Sequence, residues 1–404
     1  MKNARRLGEE PVMDTLVSSC SKRLLNQPPS SSVNRVNLAG LDIPDVPIPA
    51  NRQMFQASAL AKHNLTSVNR FYSDRNLAML AALRKGIEAE ENPAMREKLM
   101  FGFTAILTRA SKRYQWSHRR PLNAANQTYY IAPVFYEWNV LDLFQRKLKA
   151  IARSDAHIQA SLNGAWPGEI DARYEIASAD LLPLCDESID YVFTDPPFGS
   201  NIFYSDMNLF QEAWLRAFTD ESKEAVVDRS HNVGAVRTPE RYERILTDAL
   251  IEAHRVLKPH GWLSLVFGNS SGAVWSMVQR AINKAGFVID PEGLTLLDKG
   301  QRSVKGLNSG FERVVTIDLV MSMRKRLATD ADIEFRPSEV AEAVDLILAG
   351  QTPLSPSEAY ISVVRECLRR HWDLEPVSYA AVVRELERRK LKVDLTTGMF
   401  RSSD

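Results

Sequence analysis

Glu187-Ser-Ile-Asp-Tyr-Val-Phe-Thr-Asp-Pro-Pro-Phe-Gly-Ser-Asn-Ile-Phe-Tyr204 is the stretch on which the reading of this chain turns. Tyr191 to Thr194 is a short, β-rich apolar run, and Asp195, Pro196, Pro197 and Phe198 end it. The two prolines fix φ and carry no N–H, so the carbonyls beside them are presented without competing ladder bonds. A strand tip with an acid, two rigid residues and an aromatic ring suits chemistry on the amino group of a flat base. Such an amine is a poor nucleophile, because its lone pair is delocalised into the ring. The Asp195 carboxylate and the Pro196 carbonyl can accept both of its N–H groups and favour a more tetrahedral nitrogen. Phe198 can stack on a base drawn out of its helix. The same four residues also fit a strand that merely stops, with Asp195 capping a turn.

The flanking sequence favours the site. Tyr174-Glu-Ile-Ala-Ser-Ala-Asp180 is a second strand-like run that ends in an acid. In an open parallel sheet, acids at the carboxyl ends of neighbouring strands face one crevice, where ligands bind. Downstream, helices are expected near 206–217, 240–257 and 272–285, and strands near 173–178, 190–194, 262–267, 287–290 and 312–322. Alternation of the two predicts an α/β fold with a doubly wound, mainly parallel sheet. Pro259-His-Gly261 punctuates the step from the long helix into its strand.

Asp195 to Phe198, the run into Asp180, and Arg255-Val-Leu-Lys-Pro-His-Gly-Trp-Leu263 together resemble the S-adenosylmethionine-dependent DNA amino-methyltransferases. The likeness is nearest to large bacterial DNA methylases with a long helical insertion. Similar phrases stand at Phe71–Leu77, Thr128–Pro133, Glu137–Val140, Thr238–Tyr242 and Val266–Trp275, so the resemblance spans residues 50–325. It implies a class I methyltransferase-like sheet with an antiparallel closing pair at Phe287 to Met323. It implies methylation of adenine N6 or cytosine N4 in DNA, in the setting of restriction–modification, with S-adenosyl-L-methionine as cofactor and no metal. Carried over residue by residue, it makes Asp195, Pro196, Pro197 and Phe198 catalytic. Asp180 and Leu181 become cofactor-binding, and Tyr204 and Asn201 substrate-binding.

One departure matters. The family carries an Asp-Pro-Phe-x-Gly-x-Gly type loop for the methionine part of its cofactor, and none precedes Asp180. Phe101-Gly102-Phe103 sits in a helical pattern, and Phe267-Gly-Asn-Ser-Ser-Gly272 reads as a strand-end loop. The chain therefore resembles the second half of a split or truncated methylase, with a separately encoded polypeptide as the expected source of the glycine-rich half. A catalytically degenerate DNA-binding remnant is the rival from another class. An RNA or protein-glutamine amino-methyltransferase, with similar Asn/Asp-Pro-Pro-aromatic chemistry, is a third reading.

Composition agrees with a large globular chain. Across 404 residues 45% are hydrophobic, enough for a sizeable core, and the net charge of +1 gives no global attraction to nucleic acid. Cys20, Cys185 and Cys367 are too far apart for a metal or disulfide framework, which suits a reducing cytoplasm. No apolar stretch approaches a membrane span, and no apolar core follows the basic N-terminus, so neither a membrane partner nor a signal peptide is expected.

Four parts are expected: a flexible segment over 1–50, a helical region over 51–155, the catalytic half over 156–328, and a small helical domain over 329–404. Leu77, Leu80, Leu83 and Ile87, then Leu99, Phe103, Ile106 and Leu107, form helical core stripes. Ser111 to Arg120 gathers Lys112, Arg113, Tyr114, Trp116, Arg119 and Arg120 without an acid, a nucleic-acid candidate or a solvated loop. The polar connection over 199–240, with Asp206, Arg229, His231 and Arg237, fits a substrate gate or ordinary loop polarity. In the last part, amphipathic runs and the Leu391–Phe400 segment suggest a winged-helix-like unit. Arg384, Arg388, Arg389, Lys390 and Lys392 would be its DNA-facing or merely solvated basic side.

Overall fold

The computed structural model describes residues 14–17, 24–27, 36–58, 60–116, 122–123, 129, 131, 134–165, 174–200, 202–228, 237–298, 315–330, 333–350, 354–394 and 397–402. Contacts divide the chain into two compact units. One joins Met1–Ala172 to Phe203–Asp220, and the other joins Arg173–Ile202 to Glu221–Asp404.

The first unit is built on helices. α1 (Asp74–Glu88) starts where the Ser73 hydroxyl accepts the Asn76 N–H at 3.2 Å, and α2 (Pro93–Thr104) has Asn92 capping and proline in its first turn. α3 (Val140–Ala165) packs on both. α4 (Tyr204–Leu215) closes the core, where Phe71, Tyr72, Phe103, Tyr129, Phe210 and Trp214 meet largely edge to face. The expected nucleic-acid segment is partly swallowed here. Arg113 is 1% exposed, with its guanidinium 4.7 Å from the Phe210 ring centroid and 5.6 Å from that of Tyr129. Burial lowers the pKa of that guanidinium. Arg113 and the buried Tyr114 thus serve the core rather than a phosphate-binding surface, because cation–π contact offsets their desolvation. Arg119 and Arg120 lie outside the described residues. Asp206 is also interior: it is fully buried and accepts from Arg52 Nη1 at 3.2 Å and from the Met54 N–H at 3.0 Å.

The second unit holds a four-stranded mixed sheet. Its strands are β1 (Ile189–Thr194), β2 (Leu257–Phe267), β3 (Phe287–Asp298) and β4 (Ile317–Lys325), in the order β1-β2-β4-β3. β1 and β2 run parallel, joined through α5 (Pro239–Val256), and β4 is antiparallel to both of its neighbours. Helix α5 packs on α6 (Gly272–Lys284). The expected antiparallel pair at the end of the sheet is present. A mainly parallel sheet is not: among the described residues only β1 and β2 pair in parallel.

Alternation explains which side of the sheet is interior. Leu263, Leu265 and Phe267 on β2 stand in register with Met323, Met321 and Leu319 on β4, and all six are completely buried. The core does not stop at residue 329. α7 (Val340–Leu348), α8 (Pro356–Arg369) and α9 (Tyr379–Arg388) share one hydrophobic cluster with the sheet through Val344, Tyr360, Val364, Val382 and Leu386. A full capping box starts α8, with Ser355 and Glu358 exchanging bonds. A two-stranded antiparallel hairpin, β5 (Leu391–Val393) with β6 (Phe400–Ser402), follows α9.

The strand expected near 173–178 does not form. Residues 174–177 have no regular structure, and Ser178 makes only an isolated bridge to Leu181. A strand there would need a neighbour, and among the described residues β1 pairs with nothing on its outer side.

Candidate active site

Asp195 to Phe198 follow β1 directly, so the parallel pairing of Thr194 with Leu265 sets where the motif emerges. Its backbone is pinned from two later elements. Tyr242, on the first turn of α5, donates its hydroxyl to the Pro197 carbonyl at 2.7 Å. Asn269, just past β2, donates Nδ2 to the Phe198 carbonyl at 2.7 Å. Gly199 then turns at φ +78°, where a side chain would be strained, and its carbonyl accepts the Val227 N–H at 3.2 Å. Burial pushes the Tyr242 phenol upward, which keeps it a hydroxyl donor.

The consequence is selective. Two successive carbonyls of the loop are taken, whereas no described residue bonds the Pro196 carbonyl. Asp195, next to it, is exposed. Phe198 is half-buried and leans on Phe267, with ring centroids 5.0 Å apart and planes at 59°. At the end of β1 Asp195 thus stands one residue before a carbonyl that no described residue bonds, with an aromatic ring held against the core.

Asp180 and Leu181 are placed otherwise than expected. They occupy an exposed turn in which the Ser178 hydroxyl donates to the Asp180 carboxylate, and Leu181 is 75% exposed. Arg255 fastens the chain just beyond that turn. It pairs with Glu252 and Asp186 and donates Nη1 to the Leu184 carbonyl at 3.0 Å, while Glu252 accepts the Leu182 N–H at 2.8 Å. Those bonds hold the Glu252 carboxyl down to about 2. Arg255, in the phrase Arg-Val-Leu-Lys-Pro-x-Gly, is thus a clamp on the approach to β1. Tyr204 is the first residue of α4 in the other unit and is partly exposed, and Asn201 lies outside the described residues, as do Arg229 and His231. Arg237 is buried between Glu221 and Glu224, each at 3.0 Å.

The glycine-bearing turn after β2 is filled by protein. A Cβ on Gly272 would lie 2.4 Å from the Leu374 carbonyl oxygen and 2.7 Å from that of Val377. The Tyr379 N–H also bonds the Ser270 carbonyl at 3.0 Å. Gly272 is there so that the 374–377 backbone can close on α6, which agrees with its reading as a strand-end loop. Sequence reasoning missed Tyr242 and Asn269 as anchors of the motif. Both stand in phrases that carried the family resemblance, Thr238–Tyr242 and Val266–Trp275, but neither residue type announces a carbonyl anchor. Among the described residues no cluster of metal-ligating side chains is present, and no helix is long and apolar enough to cross a membrane.

No family model matches this chain, and no curated protein matches it. Solved structures of the Putative DNA Modification Methylase TTHA0409 from Thermus thermophilus are similar to it at 16% identity. One has a TM-score of 0.22 and covers 42% of this chain and 58% of its own. A second, complexed with S-adenosyl-L-methionine, has a TM-score of 0.24 and covers 42% and 60%. The chain spans less than two thirds of the length of these structures. Likeness that slight leaves the reading of the site to this chain's own residues.

Proposed function

We propose that this chain is the base-holding half of an S-adenosylmethionine-dependent DNA amino-methyltransferase of the restriction–modification kind, acting in the cytoplasm on adenine N6 or cytosine N4. The supporting observation is the loop after β1. Tyr242 and Asn269 occupy the carbonyls of Pro197 and Phe198, and the Pro196 carbonyl is left beside the Asp195 carboxylate. A base drawn out of the duplex would give one N–H to each acceptor. Two charge-biased acceptors pull the amine out of conjugation and hold its lone pair on a fixed line, so the contribution is one of alignment. Phe198 would lie against the face of the base. No strong base is needed, since an alkylated aromatic amine loses its proton to water at neutral pH.

The described residues do not by themselves fit S-adenosylmethionine. Asp180 and Leu181 lie in a wholly exposed turn, and the glycine-bearing turn after β2 is packed with the 374–377 backbone. The seat for the cofactor is therefore assigned to a second polypeptide that completes the site.

The test is titration calorimetry of S-adenosylmethionine against the purified chain, alone and mixed with the polypeptide encoded beside it. Transfer of labelled methyl to DNA, to RNA and to a glutamine-bearing protein follows. Binding only in the mixture, with label on DNA amino groups, is the expected result. Label on RNA or protein instead would move the substrate class. No binding in either arm would leave a DNA-binding remnant as the account of the chain.

A further inference from the structure

The outer side of β1 is built unlike a finished sheet edge. A parallel pair is normally covered on both faces and continued on both sides. Here β1 pairs only with β2 among the described residues, and its outward alternation sets Tyr191 and Phe193 on one face. Tyr191 is in register with Trp262 of β2. The three aromatic side chains are 54%, 63% and 40% exposed, where a solvated face would carry polar residues. On the opposite face Leu263 and Leu265 are completely buried. Alongside, residues 174–181 are exposed throughout, with Tyr174 at 95% and Ile176 at 92%. An unpaired edge of this kind invites another strand: beyond the irregularity at Asp190, the span 191–194 holds neither proline nor a charged residue.

Charge says which occupant fits. Between Tyr174 and Asp195 the chain has Glu175, Asp180, Asp186, Glu187, Asp190 and Asp195 and no Lys or Arg. Three of them are matched from inside the unit, Asp186 by Arg255, Glu187 by Lys325 and Asp190 by Lys258. Each stays widely open to solvent, with side-chain exposures of 74%, 57% and 82%. A second copy of this chain, pairing β1 with β1, would set six carboxylates against six. A strand edge bearing Lys and Arg would meet them favourably.

We infer that the β1 edge, with Tyr191, Phe193 and Trp262, is the docking surface for a second, different polypeptide that adds a basic-edged strand to the sheet and an apolar face over the three rings. Residues 174–181 become ordered against that polypeptide, which is why the strand their sequence encodes is missing from the isolated chain. The surface deepens the methyl-transfer reading by locating where the cofactor-bearing half joins, and it rests on that reading only for what the partner carries.

The experiment places the photo-reactive residue p-benzoylphenylalanine at Phe193, and separately at Ile158 of α3 as an exposed control, in the cells that make the protein. Adducts are purified under denaturing conditions and mapped by mass spectrometry. The expected result is one dominant adduct from position 193, absent from position 158, to a single other polypeptide whose linked segment has more Lys and Arg than Asp and Glu. The purified pair should form a one-to-one complex in which amide exchange over 174–194 slows at least ~10-fold. Phe193→Lys should raise its Kd at least ~10-fold with an unchanged melting temperature, because the side chain is exposed. An adduct only to a second copy, or only within the chain, or no dominant adduct, overturns the inference. If the complex forms as stated but binds no S-adenosylmethionine, the docking surface stands and the methyl-transfer reading fails. If the chain alone binds the cofactor and methylates DNA without forming an adduct, the reverse holds.

Discussion

Asp195 and Tyr242 divide the labour at the end of β1, and substitution should separate them. Asp195 is exposed, so Asp195→Ala should leave the chain folded, with a cooperative thermal transition. On the proposed function it should lower methyl transfer by the reconstituted enzyme at least ~100-fold, because that function makes its carboxylate an acceptor for the reacting amine. Full activity in that variant would sink the assignment. Tyr242→Phe deletes only the hydroxyl that holds the Pro197 carbonyl. It should cost about 1 kcal/mol in denaturant unfolding and slow turnover ~10-fold while KM for DNA stays near its starting value. A fall in stability without any change in turnover would make Tyr242 purely structural. The motif itself was legible in the sequence, since Asp, two prolines and an aromatic at a strand end is an unusual string with a chemical reason behind it. Its anchors were not. A tyrosine on an amphipathic helix and an asparagine in a turn read as core and loop residues until the fold brings them to the carbonyls.

Among elements, the legible ones were those whose pattern is met by neighbours inside the chain. Helix α5 announces itself by Thr238 and Pro239 at its start and by the buried spacing of Tyr242, Leu246, Leu250 and Ala253. Strand β2 does so by an apolar run whose neighbours on both sides are present. The segment Tyr174 to Asp180 has an equally good strand pattern and yet forms none, because a strand is only half specified by its own residues and needs a ladder to join. The packing of the helices after 329 was illegible for the complementary reason. Amphipathic helices show that they bury a face but not against what, and α7 to α9 bury theirs against the sheet. The packing of the 374–377 turn on α6 can be tested directly. Gly272→Ala puts a methyl group 2.4 Å from a carbonyl oxygen that cannot rotate away. The variant should lose roughly 1–3 kcal/mol of stability, seen as a lower denaturation midpoint with the m-value kept. A neutral result would mean that the turn stands further from α6 than this packing requires.

For the molecule as a whole, a net charge of +1 conceals an uneven distribution that sets how stability responds to acid. Several carboxylates of the second unit are held below their ordinary range by guanidinium partners. Glu252 is held at about 2 by Arg255 and Asp330 at about 2 by Arg324, and Glu243, Asp345 and Glu385 are lowered by Arg280, Arg389 and Arg389 again. His254, at the end of α5, is lowered first by burial and then by Lys325, and its ring stands edge-on to Phe287 at 5.3 Å. For all of these the folded pKa lies below the unfolded one, so the unfolded chain binds more protons as pH falls, and stability falls with it. His254 acts first, below its ordinary value of 6.5, and the carboxylates follow below their ordinary values of 4.5 for Glu and 3.8 for Asp. Most of these pairs are open to solvent, so each one contributes little and salt weakens it further. The melting temperature should therefore be level from pH 8 to 7, decline gently towards pH 5, and drop by roughly 5 °C or more between pH 5 and 3. Arg255→Gln tests one such carboxylate, since it takes the guanidinium from Glu252 and detaches the Leu184 carbonyl. Its acid limb should be shallower than that of the parent, with a lower plateau at neutral pH. Parallel curves for the two proteins would show that the Arg255 clamp does not govern the acid response.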